Sequence, residues 1–353
     1  MGDKVLVAMS GGIDSSVAAW MLLNEGYNVA GVTMHFGALT EGDGKRSCTS
    51  AAIDDAKKVC DCLNISHYVF DYASRLENEV ITDFISEYQK GRTPNPCVRC
   101  NRHLKFGSLL DKAQELGFNY LATGHYAAIE KNEGGYCLTR PKDRKKDQTY
   151  FLYAIPYERL KNILFPLARL TKDEVRNLAK QNSLPVTAKQ ESQDICFVTQ
   201  KNSQTFLLER VKDVTPGPIV DLRGNVLGRH RGIIFHTIGQ RGGLGINHPT
   251  PLYVLSIDPE NNRIVAGDKK DLMGKTLVAS GINRLAKSWP QQMHAKIRYR
   301  KKEALCEVRE EKEKLKVIFA EEQEAITPGQ SVVFYDHDCV LGGGIIEKVI
   351  PFG

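Results

Sequence analysis

Two stretches of this chain hold residues whose types and spacing do chemistry. The first is Ser10-Gly11-Gly12-Ile13-Asp14-Ser15-Ser16, which follows the apolar run Val5-Leu6-Val7-Ala8-Met9 and leads into Val17, Ala18, Trp20, Met21 and Leu22 at helical spacing. A buried strand that ends in a serine and two glycines and then opens a helix aims several backbone N–H groups and the positive end of the helix dipole at one point. That point suits a phosphate. The loop lacks the lysine and the glycine spacing of a Walker A sequence, which excludes the usual γ-phosphate-cleaving NTPase. The simpler alternative is a serine N-cap with glycines in a tight turn. The second stretch is Thr93-Pro94-Asn95-Pro96-Cys97-Val98-Arg99-Cys100-Asn101, to which Cys196 in the polar run Glu191-Ser192-Gln193-Asp194-Ile195-Cys196 adds a third isolated thiol. Cys97 and Cys100 follow a rigid Pro-rich turn ahead of a helix expected to begin near Leu104, so the dipole and the neighbours Arg99 and Arg102 favour thiolates there. A single CxxC is compatible with a redox pair, half a zinc site or a coincidence.

These side chains need a scaffold, and the hydrophobic periodicity supplies one. After the first strand and helix, the pattern predicts a strand over 28–35, a helix over 49–63, a strand over 67–71, helices over 76–90 and 104–116, and a strand over 120–123. Such alternation implies an α/β fold with a doubly wound parallel sheet and ligands beyond the carboxyl ends of its strands. Thr33-Met34-His35 and Thr123-Gly124-His125-Tyr126 join the serine-glycine loop at those ends. Met34 is suited either to an adenine face or to the core, and Gly124 either to close approach of a nucleotide or to a plain turn. From about residue 201 turn signals separate short apolar runs, which predicts a small β-rich middle domain over 201–272. Alternating runs from 273 to 353 predict a small C-terminal β-barrel or sandwich.

Composition sets the outer bounds. A chain of 353 residues is too long for one compact core. With 42% hydrophobic and 25% charged residues, it reads as an ordinary globular protein. No run approaches the roughly 20 apolar residues of a membrane span, and the N-terminus shows no cleavable signal pattern, so a cytoplasmic location is expected. Nine scattered cysteines argue against a secreted disulfide framework and for reduced thiols. The net charge of +6 permits a polyanionic partner, and Arg140, Lys142, Arg144, Lys145 and Lys146 crowd one short loop that suits a phosphate backbone or is simply a solvated face.

The serine-glycine loop resembles the PP-loop of the ATP pyrophosphatases, which hold the pyrophosphate released when ATP adenylates a substrate. The chain as a whole resembles the tRNA-specific 2-thiouridylases. The matching segments are Ser10 to Ser16, Gly91 to Pro96, Cys100-Asn101, Ala122 to Tyr126, Lys146 to Leu152, Asp194 to Phe197, His236 to Gly245, Arg298 to Arg300, Thr327-Pro328-Gly329-Gln330 and Leu341 to Gly344, in the family's order. The resemblance implies a PP-loop domain over 1–200, the small central domain, and a barrel that embraces tRNA. It implies ATP and Mg²⁺ as cofactors, with Ala8, Met9, Ser10, Gly11, Gly12, Ile13, Asp14, Ser15, Met34 and Gly124 around the nucleotide. Asp14 would orient Mg²⁺ or phosphates, or serve only as a helix-start residue. By the same resemblance, His125, Lys146, Asp147, Gln148, Arg298, Tyr299 and Gln330 lie near the anticodon arm. Cys196 carries sulfur as a persulfide and Cys100 helps release it, with a disulfide between the two closing the cycle. A sulfur donor protein or sulfide source and tRNA are then the partners, no membrane is involved, and a monomer is expected.

One position departs from the commoner family pattern, in which an aspartate stands where this chain has Cys97. Cys97, Cys100 and Cys196 therefore form a three-thiol set. Three thiolates with one open coordination position suit an iron-sulfur cluster; alternatively, the persulfide cycle operates and Cys97 is a spare or resolving thiol. Two other function classes compete. A PP-loop ligase for a small molecule, such as an argininosuccinate synthase or an amidotransferase, has no use for the three thiols, and a non-catalytic tRNA-binding protein has no use for a pyrophosphate site.

Overall fold

The computed structural model describes residues 2–37, 50–186, 196–198 and 203–350. Strand β1 (Lys4–Ala8) lies at the centre of an all-parallel sheet with β2 (Asn28–His35), β3 (His67–Asp71), β4 (Tyr120–Thr123) and a short strand, Ile163–Leu164, in the order β3-β2-β1-β4 and then 163–164. Because a strand's side chains alternate between two covered faces, β1 is apolar from Val5 to Ala8. Val5 and Val7 pack on Ala19 and Leu22 of α1 (Ile13–Asn24) and on Ala56 and Val59 of α2 (Ser50–Cys62), while Leu6 faces a second cluster with Phe84, Leu104 and Leu109. Both faces of the sheet are covered, as expected of a doubly wound fold.

The helical segment of the CxxC differs from expectation. It begins at Pro96, not near Leu104, and continues through Cys100–Leu109 into Leu110–Glu115. Pro96 at the first helical position is itself a start signal, because its missing N–H would be unpaired there anyway. Cys97 and Cys100 thus lie in the opening turns of the helix.

The remaining strands form two further units. Gly217–Val220, Val226–His230, Tyr253–Asp258 and Arg263–Gly267 make a four-stranded sheet around Ile219, Val254 and Ile264. Met273–Arg284, Lys314–Glu324, Ala304–Glu311, Gln292–Lys296, Ser331–Asp336 and Cys339–Ile350 pair in that spatial order, and the last strand pairs back on the first, closing a six-stranded barrel. Among the described residues no helix is long and apolar enough to cross a membrane.

The barrel does not hang from a linker. The hairpin Ala128–Asn132/Gly135–Thr139 of the α/β unit joins the edge of the last barrel strand at Thr139 and Cys339. A Cys137–Cys339 disulfide crosses the same junction. That bond corrects the expectation that the cysteines outside the candidate site are reduced. Val333, Tyr335 and Val340 of the barrel belong to the same apolar cluster as Phe84, Leu104 and Tyr150. Polar contacts fix the register of the two units: Tyr150 Oη donates to Ser331 O at 3.0 Å, and Asn283 Nδ2 donates to Tyr153 O at 2.7 Å and Ile155 O at 2.8 Å.

Asn283→Ala strips two carbonyls of their donor at this seam without touching the candidate site. It is expected to lower stability by about 1–3 kcal/mol in urea unfolding, with adenylate chemistry retained in the folded fraction.

Candidate active site

The serine-glycine loop ends β1 and hands the chain to α1 with Gly12 as the N-cap, in extended conformation and with no side-chain cap. Ser10 is therefore not the capping serine. Its backbone N–H donates to Ser15 Oγ at 3.2 Å, while Ser15 Oγ and Ser16 Oγ donate back to Gly12 O at 3.1 and 2.9 Å. The hydroxyls brace the loop from within and leave the helix opening to a ligand. Two glycines are required by close approach. Gly11 has φ +68°, and a Cβ there would meet Ala52 O at 2.6 Å; a Cβ on Gly124 would meet Ser15 N at 2.7 Å. The end of β4 thus lies directly on the first turn of α1.

Asp14, in that first turn, is held by a residue the sequence did not single out. Lys172 Nζ lies 2.8 and 2.7 Å from the two Asp14 oxygens, and Tyr126 Oη donates to Oδ1 at 2.9 Å. Lys172 opens the helix Lys172–Gln181, whose start is fixed by a Thr171/Glu174 capping box. It is 5% exposed, so a cation stands almost wholly desolvated beside the phosphate-type loop. The signal was available as the Thr171-x-x-Glu174 box with a lysine inside it, but nothing in the sequence brings residue 172 to residue 14. Met9 and Met34 are both buried in apolar clusters, Ala8 and Ile13 are partly buried, and Met34 packs with Leu6 and Val32.

The thiols behave differently from their expected helix-terminus chemistry. Burial pushes the Cys97 thiol up to about 12, with Cys196 and Cys100 adding to the rise, and burial pushes Cys100 up to about 11. Desolvation outweighs the helix dipole here. Arg99 cannot compensate, since its guanidinium is engaged by Asp83 at 3.3 Å and by Glu79 O at 3.2 Å. The cation that opposes the rise at both thiols is Lys105, a second residue the sequence reading missed. Lys105 also acts on His125, whose pKa burial holds well below the ordinary histidine range. Cys196 is placed by its successors: Phe197 and Val198 enter the core, and the Phe197 ring meets Phe84 at 5.5 Å and Phe206 at 5.5 Å. The Glu191 to Ile195 part of that motif lies outside the described residues. Cys100 and Cys196 are reduced in this structure.

One short segment contacts the loop and carries His125, which feels the same lysine as the thiols. Thr123 Oγ1 bonds His125 Nδ1 at 2.7 Å, Gly124 abuts Ser15, and Tyr126 reaches Asp14. His125 in turn shares the field of Lys105 with Cys97 and Cys100.

Comparison with known proteins places the chain in a family. Residues 3–200 match the family model described as a tRNA methyl transferase HUP domain, 204–268 a tRNA methyl transferase PRC-barrel domain, and 275–346 an aminomethyltransferase β-barrel domain. The tRNA-specific 2-thiouridylase MnmA 1 of Syntrophus aciditrophicus is 54% identical over 349 residues, covering 99% of this chain and 94% of that protein. The MnmA of Acetivibrio thermocellus is 47% identical over 355 residues, covering 98% and 99%. The chain belongs to the tRNA-specific 2-thiouridylase family.

The positions that 2-thiouridylase resemblance assigns to tRNA are mostly engaged within the protein. Asp147 is buried, accepts from Thr149 N at 2.9 Å and pairs with Arg140 at 3.5 Å. Gln148 Oε1 accepts from Tyr126 N at 2.8 Å. Arg298 Nη2 donates to Ile238 O at 3.1 Å, Ala325 O at 2.9 Å and Thr327 Oγ1 at 2.5 Å, tying the central unit to the barrel. Tyr299 packs on Phe151 at 4.5 Å, and Gln330 bonds the 93–94 turn. In the basic loop, Lys142 pairs with Glu174 at 2.7 Å and Arg144 with Asp338 at 2.5 Å. Two of the five cations in this run are thus held in exposed ion pairs, and Arg140 is a largely buried partner of Asp147 and Glu303.

Two outcomes are expected. Lys172→Met removes the buried cation at the loop, so AMP formation from ATP should fall by roughly 100-fold with tRNA affinity nearly unchanged; an equal loss of tRNA affinity would contradict the placement. Because burial holds Cys100 up at about 11, its alkylation by iodoacetamide in ligand-free enzyme should climb steadily between about pH 7 and 9.5 without a plateau, and Lys105→Met should slow it at every pH.

Proposed function

We propose that this protein is a tRNA-uridine 2-sulfurtransferase, which uses ATP to adenylate the C2 oxygen of the wobble uridine and then replaces that oxygen by sulfur. The observation that carries this reading is the juxtaposition through Thr123–Tyr126 of an uncapped helix start, a buried Lys172 paired with partly exposed Asp14, and two thiols under the influence of one lysine. A small-molecule PP-loop ligase has no use for the last of these, and a passive tRNA binder none for the first two.

The uridine C2 oxygen is a poor leaving group, and adenylation converts it to one. The Gly12–Ser15 amides and Lys172 neutralise charge that accumulates on the phosphates as pyrophosphate leaves. Mg²⁺ supplies further charge neutralisation when it arrives on ATP, as this ion is usually carried by substrate phosphates with few protein carboxylates. The carboxylate nearest the loop, Asp14, is already shared by Lys172 and Tyr126. Sulfur transfer follows with Cys196 as the persulfide. The Cys100 thiolate attacks the Cys196 sulfur, the terminal sulfur leaves as hydrosulfide and bonds to C2, and AMP departs with the oxygen. A Cys100–Cys196 disulfide remains, which a dithiol reduces by exchange before the Cys196 thiolate takes the outer sulfur of a persulfide donor, whose own thiol is the leaving group. His125, neutral through burial, suits contact with a base better than with a phosphate. The enzyme acts in the cytoplasm as a monomer on this reading.

The donor types of Cys97, Cys100 and Cys196 suit an iron-sulfur cluster, but the arrangement does not. Among the described residues no three His, Cys, Asp or Glu side chains are gathered closely enough to hold a metal ion. No step is therefore routed through a cluster.

The test is mass spectrometry of tRNA nucleosides after incubation with ATP, Mg²⁺ and a persulfide donor. Wild-type enzyme should form 2-thiouridine, and Cys100→Ser and Cys196→Ser should abolish it while AMP formation persists. Iron-free Cys97→Asp should keep substantial activity. Strict dependence on Cys97 together with bound iron and acid-labile sulfide would replace the persulfide cycle with a cluster mechanism.

A further inference from the structure

The Cys137–Cys339 disulfide stands at the base of the basic loop. Cys137 lies in the strand Gly135–Thr139, which runs straight into Arg140, and Cys339 follows the turn His337–Asp338 that joins the strands Ser331–Asp336 and Cys339–Ile350. Asp338, beside Cys339, covers the loop. Its carbonyl accepts from Arg140 N at 3.0 Å, and its carboxylate accepts from Arg144 Nη2 at 2.5 Å. That charged bond holds the Asp338 carboxyl below the ordinary carboxylate range, so it is ionised at neutral pH. Among the described residues, backbone pairing between the two cysteine strands is confined to Thr139 and Cys339. The disulfide is therefore the firmest tie between the turn and the loop.

We propose that Cys137–Cys339 is a reversible redox site that governs access of tRNA to the basic loop: oxidised, it tethers Asp338 over Arg144 and the Arg140 amide; reduced, it lets the turn withdraw and yields both to a phosphate backbone. The proposal rests on the tRNA reading made above. An exposed arginine–carboxylate pair contributes little on its own, so a phosphate competes with an untethered Asp338 on nearly equal terms. A covalent link next to that carboxylate raises its effective concentration at Arg144, and the phosphate then has to displace a partner that cannot leave. The switch is thiol–disulfide exchange with a dithiol. Cys339 is half-buried beside exposed Asp336, His337 and Asp338, whereas Cys137 is buried, so the attacking thiolate meets Cys339 Sγ and Cys137 leaves as the thiolate. The second sulfur of the dithiol then displaces Cys339 from the mixed disulfide. Two electrons pass to the protein sulfurs, which take up protons as thiols, and the dithiol becomes a disulfide; exchange with an oxidised dithiol reverses each step. Disulfides of cytoplasmic proteins are usually transient in this way. The same class of reductant clears the Cys100–Cys196 disulfide, so a shortage of dithiol closes the tRNA surface just when sulfur transfer cannot turn over.

The test uses full-length enzyme carrying Cys100→Ser, in which the catalytic disulfide cannot form. Affinity for unmodified tRNA is measured before and after dithiothreitol, with alkylation and mass spectrometry reporting the state of Cys137 and Cys339. Reduction should raise the affinity about threefold, the scale of one exposed ion pair. Cys137→Ser should bind at the reduced-state affinity with or without dithiothreitol. Asp338→Asn, with the disulfide intact, should also bind at that affinity and lose the response to reduction. Equal affinity in the two states with the disulfide shown to be open, or weaker binding after reduction, would overturn the proposal. So would a full redox response in Asp338→Asn, or a disulfide that dithiothreitol does not open in the folded protein. Should Cys137→Ser misfold, Asp338→Asn with and without dithiothreitol decides alone. If neither state binds tRNA, the tRNA reading fails and the proposal with it; if both bind equally, the proposal alone fails.

Discussion

Desolvation of the thiols is the constraint around which the rest of the molecule is arranged. A thiol must ionise to act as a nucleophile, yet holding Cys100 at about 11 costs its thiolate roughly 3 kcal/mol relative to an ordinary cysteine. An exposed thiolate avoids that cost but surrenders the reactive sulfur to water and oxidants. The compromise is a buried site with one cation, Lys105, opposing the rise at both Cys97 and Cys100. The same economy appears at the loop, where desolvated Lys172 stands paired with Asp14. Each half of the site therefore holds a lysine, and that of the loop, Lys172, stands in a low-dielectric place where its charge acts most strongly.

Such a site needs a rigid surround, and the continuity of the three units provides it. The apolar cluster beneath the CxxC helix runs without interruption into the barrel through Tyr150, Tyr153, Val333 and Tyr335. Arg298 binds the central unit to the barrel through three acceptors, one in the 236–245 loop. Residues tied to tRNA by resemblance consequently do structural work in the ligand-free protein. Binding at such positions would exchange internal bonds for bonds to nucleic acid, so its effect reaches the thiols through the seams that those bonds hold.

Much of this was legible in the sequence, for physical reasons. The apolar run of β1 followed by Ser-Gly-Gly specifies a strand, a turn with positive φ at Gly11 and a helix start, all of them local features. The doubly wound sheet follows from alternation alone, and the short alternating runs after residue 273 specify a small barrel or sandwich, which the family resemblance narrows to a barrel. Long-range electrostatics were not legible. Lys172 and Asp14 are 158 residues apart, and no periodicity links them. The thiolate expectation erred because it weighed a dipole and two arginines without knowing the burial of the sulfurs or the engagement of Arg99 by Asp83. The Cys137–Cys339 bond was invisible for a similar reason, as it depends on a hairpin of one unit joining the edge of another.

In the basic loop, Lys142 and Arg144 already have carboxylate partners in the ligand-free protein. Lys142 with Glu174 and Arg144 with Asp338 are exposed pairs, and such pairs contribute only about 0–1 kcal/mol each to stability. A phosphate diester offers the same cations a comparable partner and releases condensed counterions as it binds. Exchange of carboxylate for phosphate is thus close to neutral in contact energy and is driven by the ions set free. The carboxylates meanwhile keep the lysine and arginine heads oriented. Glu174 does so from within the capping box that starts the Lys172 helix, so the strand of contacts from the basic loop ends at the buried cation beside the phosphate-type loop. Occupancy of the outer surface and the set of the inner site are in this way joined by a single helix terminus.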